Sequence, residues 1–215
     1  MNTRALLSSL FVAMIASISV ATAHPVAFEG ATQITGSYMG PMSTFEAYHS
    51  YDEKVAFGLN AEMLKVTEGD RLLLGLQHNW LAKRWNLKNA QGNLYAGAGG
   101  GYGWIKDKTS DASPYGRVAI QADFETLWIY TALKSSLNVG ADFTHAENTL
   151  SIGFAPYAHD YNRIATWFIV DFSYVSEMDD HVRIIPKIRL FKSTWFIEAG
   201  VSLDGDPLIS CMIHF

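Results

Sequence analysis

Apolar and polar positions alternate with a period of two along most of this chain, the pattern of strands with two unlike faces. Leu127, Ile129, Thr131, Leu133, Leu137, Val139 and Phe143 share one parity, and Trp128, Tyr130, Lys134, Ser136, Asn138 and Asp142 the other. A helix would gather its apolar residues at i, i+3 and i+4, and this stretch does not. Upstream, Gly116, Val118, Ile120, Ala122 and Phe124 alternate with Tyr115, Arg117, Gln121, Asp123 and Glu125. Downstream, Val182, Ile184, Pro186, Ile188 and Leu190 alternate with Arg183, Lys187 and Arg189. Counted back from the C-terminus, the alternation predicts strands near 207–215, 194–204, 181–192, 163–176, 149–158 and 127–144. Earlier strands are predicted near 115–126, 92–105, 71–85, 54–66, 42–51 and 30–39. Twelve is the favoured count; residues 30–51 also read as one long bent strand or an inner segment, which gives ten. Glu68-Gly69-Asp70 and Asp204-Gly205-Asp206 read as tight turns, and Asp107 to Pro114 as the longest loop. Pro186, in mid-strand, reads as a bulge.

The two chain ends say where such a sheet would live. In Pro207 to Phe215, Ile209, Cys211, Ile213 and Phe215 share one face, and the chain stops on an aromatic carboxylate. This ending resembles the C-terminal signal of bacterial outer-membrane β-barrels. The resemblance implies that Phe215 is read by the barrel-assembly machinery. At the other end, Arg4, the mainly apolar stretch from Ala5 to Val20 and the small-x-small triplet Ala21-Thr22-Ala23 read as a secretory signal peptide over 1–23. The mature chain would then start at His24, with no cysteine there to make a lipoprotein. No later apolar run approaches the ~18 residues of a membrane helix. A membrane protein of this kind must be a closed barrel, since lipid satisfies no backbone groups. The expected fold is therefore all-β, a transmembrane antiparallel up-and-down β-barrel formed by the single domain 24–215. Its expected place is the outer membrane of a Gram-negative bacterium, with lipid as its surroundings and both termini in the periplasm. Trp80, Trp85, Trp104, Trp128, Trp167, Trp195 and Phe196 lie near strand ends, where interfacial girdles would use them.

Charge narrows the functions. A net charge of −5 gives no basic footprint for nucleic acid, and the lone Cys211 allows no internal disulfide. The polar, inward parity carries Glu46, Glu62, Asp123, Glu125, Asp142, Asp171 and Glu198 with Lys83, Arg117, Lys134, Arg183, Lys187 and Arg189. Arg183, Lys187 and Arg189 would make one wall basic, with Asp123, Asp142 and Asp171 facing it across the lumen. One reading is a narrow channel for ions or small polar solutes; the other is a closed structural or surface-interaction barrel filled by its own side chains. Gly97, Gly99, Gly101 and Gly103 also face inward, and either leave room or let a large neighbour fold across them. Oligomeric state is open.

A third reading, a lipid-modifying enzyme, would need a serine and a histidine together near the outer rim. His49 and Ser50 are adjacent and so face opposite ways. His145 with Ser151 is geometrically possible and otherwise unsupported, and the chain is read as a non-enzyme. His145, His159 and His181 with Asp160, Asp179 and Asp180 fall in predicted turns, with His159 on the opposite side of the membrane from the others. His24 could chelate through its amine and imidazole, but no ligand spacing repeats. No metal or cofactor is expected.

Lys83-Arg84-Trp85-Asn86, followed by Ala90-Gln91-Gly92-Asn93-Leu94-Tyr95 and a glycine-rich strand, resembles an uncharacterised group of small Gram-negative outer-membrane proteins. Trp195 to Val201 is similar to that group's penultimate strand. Gln91-Gly92-Asn93 stands where the group tends to have Gln-Ala-Asn. The resemblance implies a barrel and carries no activity, ligand or catalytic residue.

Overall fold

The structure is a computed structural model that describes residues 24–106, 112–158, 163–178 and 181–215. The proposed signal segment 1–23 lies outside these residues, as do Asp107, His159, Asp160, Asp179 and Asp180. Twelve strands follow one another: β1 (Thr32–Met39), β2 (Met42–Ser50), β3 (Val55–Val66), β4 (Gly69–Leu87), β5 (Ala90–Ile105) and β6 (Ser113–Thr126), then β7 (Ile129–Gly140), β8 (Thr144–Phe154), β9 (Ala165–Val175), β10 (Arg183–Lys192), β11 (Trp195–Val201) and β12 (Pro207–His214). Each pairs antiparallel with the next, and β1 closes on β12, so the sheet is an up-and-down barrel without a free edge. No helix among the described residues is long and apolar enough to cross a membrane.

Closure is made by main-chain pairing from Gln33 opposite His214 to Met39 opposite Leu208. Thr32 N–H then donates to the Phe215 carbonyl at 2.8 Å, and Phe215 N–H to the Thr32 carbonyl at 3.0 Å. Residues 30–51 form two strands, which rules out the ten-stranded alternative. Between them Gly40 takes φ 51°, a left-handed conformation that glycine adopts without penalty, and a Cβ there would lie 2.7 Å from Asp206.

The faces are inverted relative to a water-soluble protein. Leu74, Leu76, Val118, Ile120, Leu133, Leu137, Ile152, Ile188, Ile209 and Ile213 are exposed on the outer wall. Gln33, Asn60, Gln77, Asn79, Asn93 and Asn138 are buried inside.

Local breaks in the alternation move some side chains. β7 ends at Gly140 and β8 begins at Thr144, five residues before the sequence pattern suggested. Asp142 therefore sits exposed in the connection and does not line the lumen. Phe143, assigned by parity to the outer face, is buried inside, because its ring occupies the space left by the missing side chain of Gly140. In the long β4–β5 hairpin the register shifts between Leu81 and Lys83. One extra residue exchanges the faces. Lys83, expected inside, falls on the outer parity, and Arg84 turns in to donate from Nε to Asn93 Oδ1 at 2.7 Å. Pro186 makes no bulge: its pairing with β9 is continuous, and the β10–β11 ladder starts one residue later at Lys187 opposite Gly200. The expected longest loop, Asp107 to Pro114, lies mostly outside the described residues; the sequence separation from Phe154 to Ala165, where β8 ends and β9 begins, is greater than that from Ile105 to Ser113.

Candidate functional site

The lumen is built in layers. At the end where β1 starts and β12 stops, here the terminal end, residues 24–31 turn back into the mouth. Val26 is buried against Tyr48, Ala56 and Tyr95. His24 Nδ1 lies 3.3 Å from Asp123 Oδ2, and its ring is 5.4 Å from that of Tyr95. Ala27 N–H donates to Ser50 Oγ at 2.9 Å, and Gly30 N–H to the Ser50 carbonyl at 2.7 Å. Beside this segment Tyr130, Ala132, Ala165, Trp167, Ile169, Phe191, Phe196 and Met212 form an internal apolar cluster. Trp167 and Phe196 are each 2% exposed, so they are lumen residues and not part of an outer girdle. Trp167 shares the inward parity of Asp171 on the same unbroken strand, so its assignment to a girdle by position near a strand end is corrected by its own alternation. At the far end, Leu64, Leu73, Tyr115, Phe143 and Val175 pack together inside, and Met39, Ile185 and Leu208 form a smaller group.

Between these layers lies a polar chamber of about 260 Å³ to whose wall every strand contributes. Glu46, Glu62, Arg117, Lys134, Asp171, Lys187, Arg189 and Glu198 line it, as inward parity requires. Asp123 is buried nearer the terminal mouth, where Asn93 Nδ2 donates to it at 2.7 Å. Arg183 is buried nearer the far end, 3.3 Å from Asp206. The basic strand does not face its acids across the lumen; its partners are the strands beside it. Lys187 Nζ lies 2.6 Å from Asp171 Oδ2 on β9 and 3.0 Å from Glu198 Oε2 on β11. Arg189 Nε donates to Glu198 Oε1 at 2.6 Å, its guanidinium resting between the rings of Tyr130 and Phe196 at 4.7 and 5.1 Å. Neighbouring strands are about 4.8 Å apart, so adjacent walls reach a buried charge with less chain than the opposite one.

The glycine strand resolves in favour of neighbours folding across it. Gln77, Gly99 and Arg117 lie opposite one another on β4, β5 and β6. Over the bare Gly99, Arg117 Nε donates to Gln77 Oε1 at 2.8 Å, while its Nη1 reaches Asn138 Oδ1 on β7 at 3.1 Å. One row further, Tyr115 passes over Gly101 and Gly75 toward Asn60 on β3, a 3.5 Å contact from its hydroxyl.

A direct cross-lumen contact joins β3 to β8. His145 Nε2 is 2.9 Å from Glu62 Oε1 and 3.2 Å from Glu147 Oε1. His145 is wholly buried inside β8 and not in a turn, as the later start assigned to that strand had implied. Its Nδ1 lies 3.9 Å from Glu177 Oε2, and Glu177 is also paired with Arg71. The sequence signal for this cluster was His145-x-Glu147, two ligand-type residues on one strand face; Glu62 is added only by the fold. By contrast, His181 is exposed, 3.4 Å from Asp204. His49 is exposed beside Thr32, and His78 packs against Tyr51, Phe57 and Trp80. These histidines do not gather with one another.

Compared with models of known protein families the chain matches none, and no curated protein matches it significantly.

Proposed function

We propose that this chain is an outer-membrane barrel whose lumen is closed at rest, a structural or surface-interaction barrel without a standing transport path. The observation that carries this reading is the layered lumen, with His24 and Val26 buried in the terminal mouth and apolar clusters inside both ends. The exposed apolar outer wall and the closed ladder support the placement in lipid, which tolerates no unpaired sheet edge. The resemblance of the Lys83 to Asn86 segment to small Gram-negative barrels points the same way. On this reading the partners are outer-membrane lipid and the barrel-assembly machinery, and export through a 1–23 signal peptide precedes assembly. No enzymatic activity is proposed.

The test is current across a planar bilayer containing the mature chain, with insertion verified by the heat-dependent gel shift of folded barrels. The expected result is an inserted, silent protein. Deleting His24 to Val26 removes the inner part of the plug but leaves the apolar clusters inside both ends, so this variant is expected to insert and stay silent as well. Steps from the intact chain would overturn the closed reading. They would favour the narrow channel, for which Lys134, exposed and lining the chamber, is the specific supporting feature. A channel would change its ion selectivity when Arg183, Lys187 and Arg189 are neutralised; a closed barrel would lose stability instead.

Phe215 separates assembly from stability. The residue is 66% exposed while its main chain completes the seam. Phe215→Ala is expected to leave the unfolding midpoint of refolded protein nearly unchanged while lowering the folded fraction recovered from cells. Equal recovery of the two forms would argue against a role in assembly.

A further inference from the structure

The geometry points to Glu62, His145 and Glu147 as a binding site for a single divalent transition-metal ion of the zinc class, inside the barrel. The inference goes beyond the closed-barrel reading and does not depend on whether the lumen conducts.

The three side chains each offer a ligand atom, and those atoms all lie within 4.8 Å of one another. A tetrahedral ion with bonds of about 2.0–2.2 Å holds its ligands roughly 3.4 Å apart. The distances of 2.9 and 3.2 Å from Nε2 to the two carboxylates need only small adjustments. Burial makes the arrangement rigid, since the side chains of His145 and Glu62 are 0% and 8% exposed.

An independent observation points to an occupant. A ring nitrogen carries at most one proton, directed in the ring plane, and Glu147 Oε1 stands in hydrogen-bond geometry to Nε2. Glu62 Oε1 approaches the same nitrogen more closely, yet among the described residues it is buried without a partner in good hydrogen-bond geometry. An unsatisfied buried carboxylate oxygen is costly. A cation at the point on which Nε2 and the two oxygens converge satisfies all three with one centre.

The surroundings fit a metal ligand set. With Nε2 on the ion, the ring proton moves to Nδ1, which faces Glu177 Oε2 at 3.9 Å and, among the described residues, is buried without a hydrogen bond. A carboxylate behind the imidazole is the usual orienting partner of a metal-bound histidine. Arg117 Nη1, 3.6 Å from Glu62 Oε2, and Arg71, paired with Glu177, offset part of the acidic charge. Three carboxylates and two guanidiniums leave one negative charge around a neutral imidazole, which favours a dication. Glu62 and Glu147 also line the chamber, which leaves room for a water as fourth ligand. One nitrogen with two carboxylates selects zinc-like ions over calcium or magnesium, which prefer six or more oxygens. The rival occupant is the imidazole's own second proton, which would make the cluster an ion triad with no metal affinity.

The experiment titrates chelator-stripped mature protein in detergent micelles with Zn²⁺ by calorimetry, and with Co²⁺ by visible absorption. One equivalent of Zn²⁺ is expected, and the Co²⁺ form should show the intense bands of a four-coordinate ion. Affinity should fall about 100-fold or more in His145→Ala and about tenfold or more in Glu147→Gln. The gel shift checks folding, and if His145→Ala does not fold, the partly exposed Glu147→Gln carries the test. Absence of saturable Zn²⁺ binding, or binding unchanged in the folded variants, would overturn the site. Equal competition by Ca²⁺ would overturn its assignment to the zinc class.

Discussion

Replacing Glu198 by alanine is expected to destabilise the barrel by about 3–5 kcal/mol, the loss found when one member of a buried charge pair is removed. Glu198 is the shared acceptor of the basic strand, taking Arg189 at Oε1 and Lys187 at Oε2. Without it Lys187 still has Asp171, but Arg189 keeps only its two aromatic neighbours and the longer-range pull of Glu125. A guanidinium without a hydrogen-bonded counter-charge in this apolar layer is the main source of the cost. Removing both members should reverse most of it. The double variant Arg189→Leu with Glu198→Leu fills the same space with apolar groups and is expected to unfold near the wild-type midpoint. Urea titration of refolded protein, followed by tryptophan fluorescence and the gel shift, checks both. A single variant as stable as wild type would mean that lumen water already solvates Arg189, which would count against the closed reading.

The second large effect is expected at Gly99. A Cβ there would overlap the main-chain carbonyl of Leu76 on β4 and lie 2.8 Å from the Cα of Gln77. These are backbone atoms held by the sheet ladder, so no rotamer change relieves the contact. Gly99→Ala is expected to lose at least about 2 kcal/mol, within the range for overpacking. Gly99→Leu should yield no folded barrel, because its side chain also occupies the path of Arg117 toward Gln77. Gly116 is the control: a Cβ there meets nothing within 4 Å, and Gly116→Ala should fold as wild type or slightly better. Equal recovery of Gly99→Ala and Gly116→Ala would show that β4 and β5 can separate without cost.

Both effects depend on side chains that cross between strands, and here sequence and tertiary structure contributed differently. Alternation by itself determined the all-β class, the inverted faces and most of the lumen wall, and favoured twelve strands over ten. The reason is geometric: successive residues on a strand point to opposite faces, so parity assigns Glu46, Arg117, Asp171 and Glu198 inward wherever the strand is unbroken. Parity failed where the period was interrupted. The bulge near Ala82 exchanged Lys83 for Arg84, and the bend after Gly140 put Asp142 outside and Phe143 inside. At Trp167 position near a strand end suggested a girdle, whereas the parity it shares with Asp171 sends it inward.

Only the tertiary structure decided which side chains meet. Register set Lys187 and Arg189 beside Asp171 and Glu198 on neighbouring strands, although the strand alone allowed partners anywhere on the facing wall. The cross-lumen approach of Glu62 to the His145-x-Glu147 pair joins residues more than eighty positions apart, a contact that depends on closure and on the shape of the lumen. The filling of the terminal mouth by Val26 and His24 was likewise invisible, because residues 24–31 form no strand and carry no periodicity. Local alternation fixes the direction of a side chain at each position, while the distance between two walls is a property of the closed sheet as a whole.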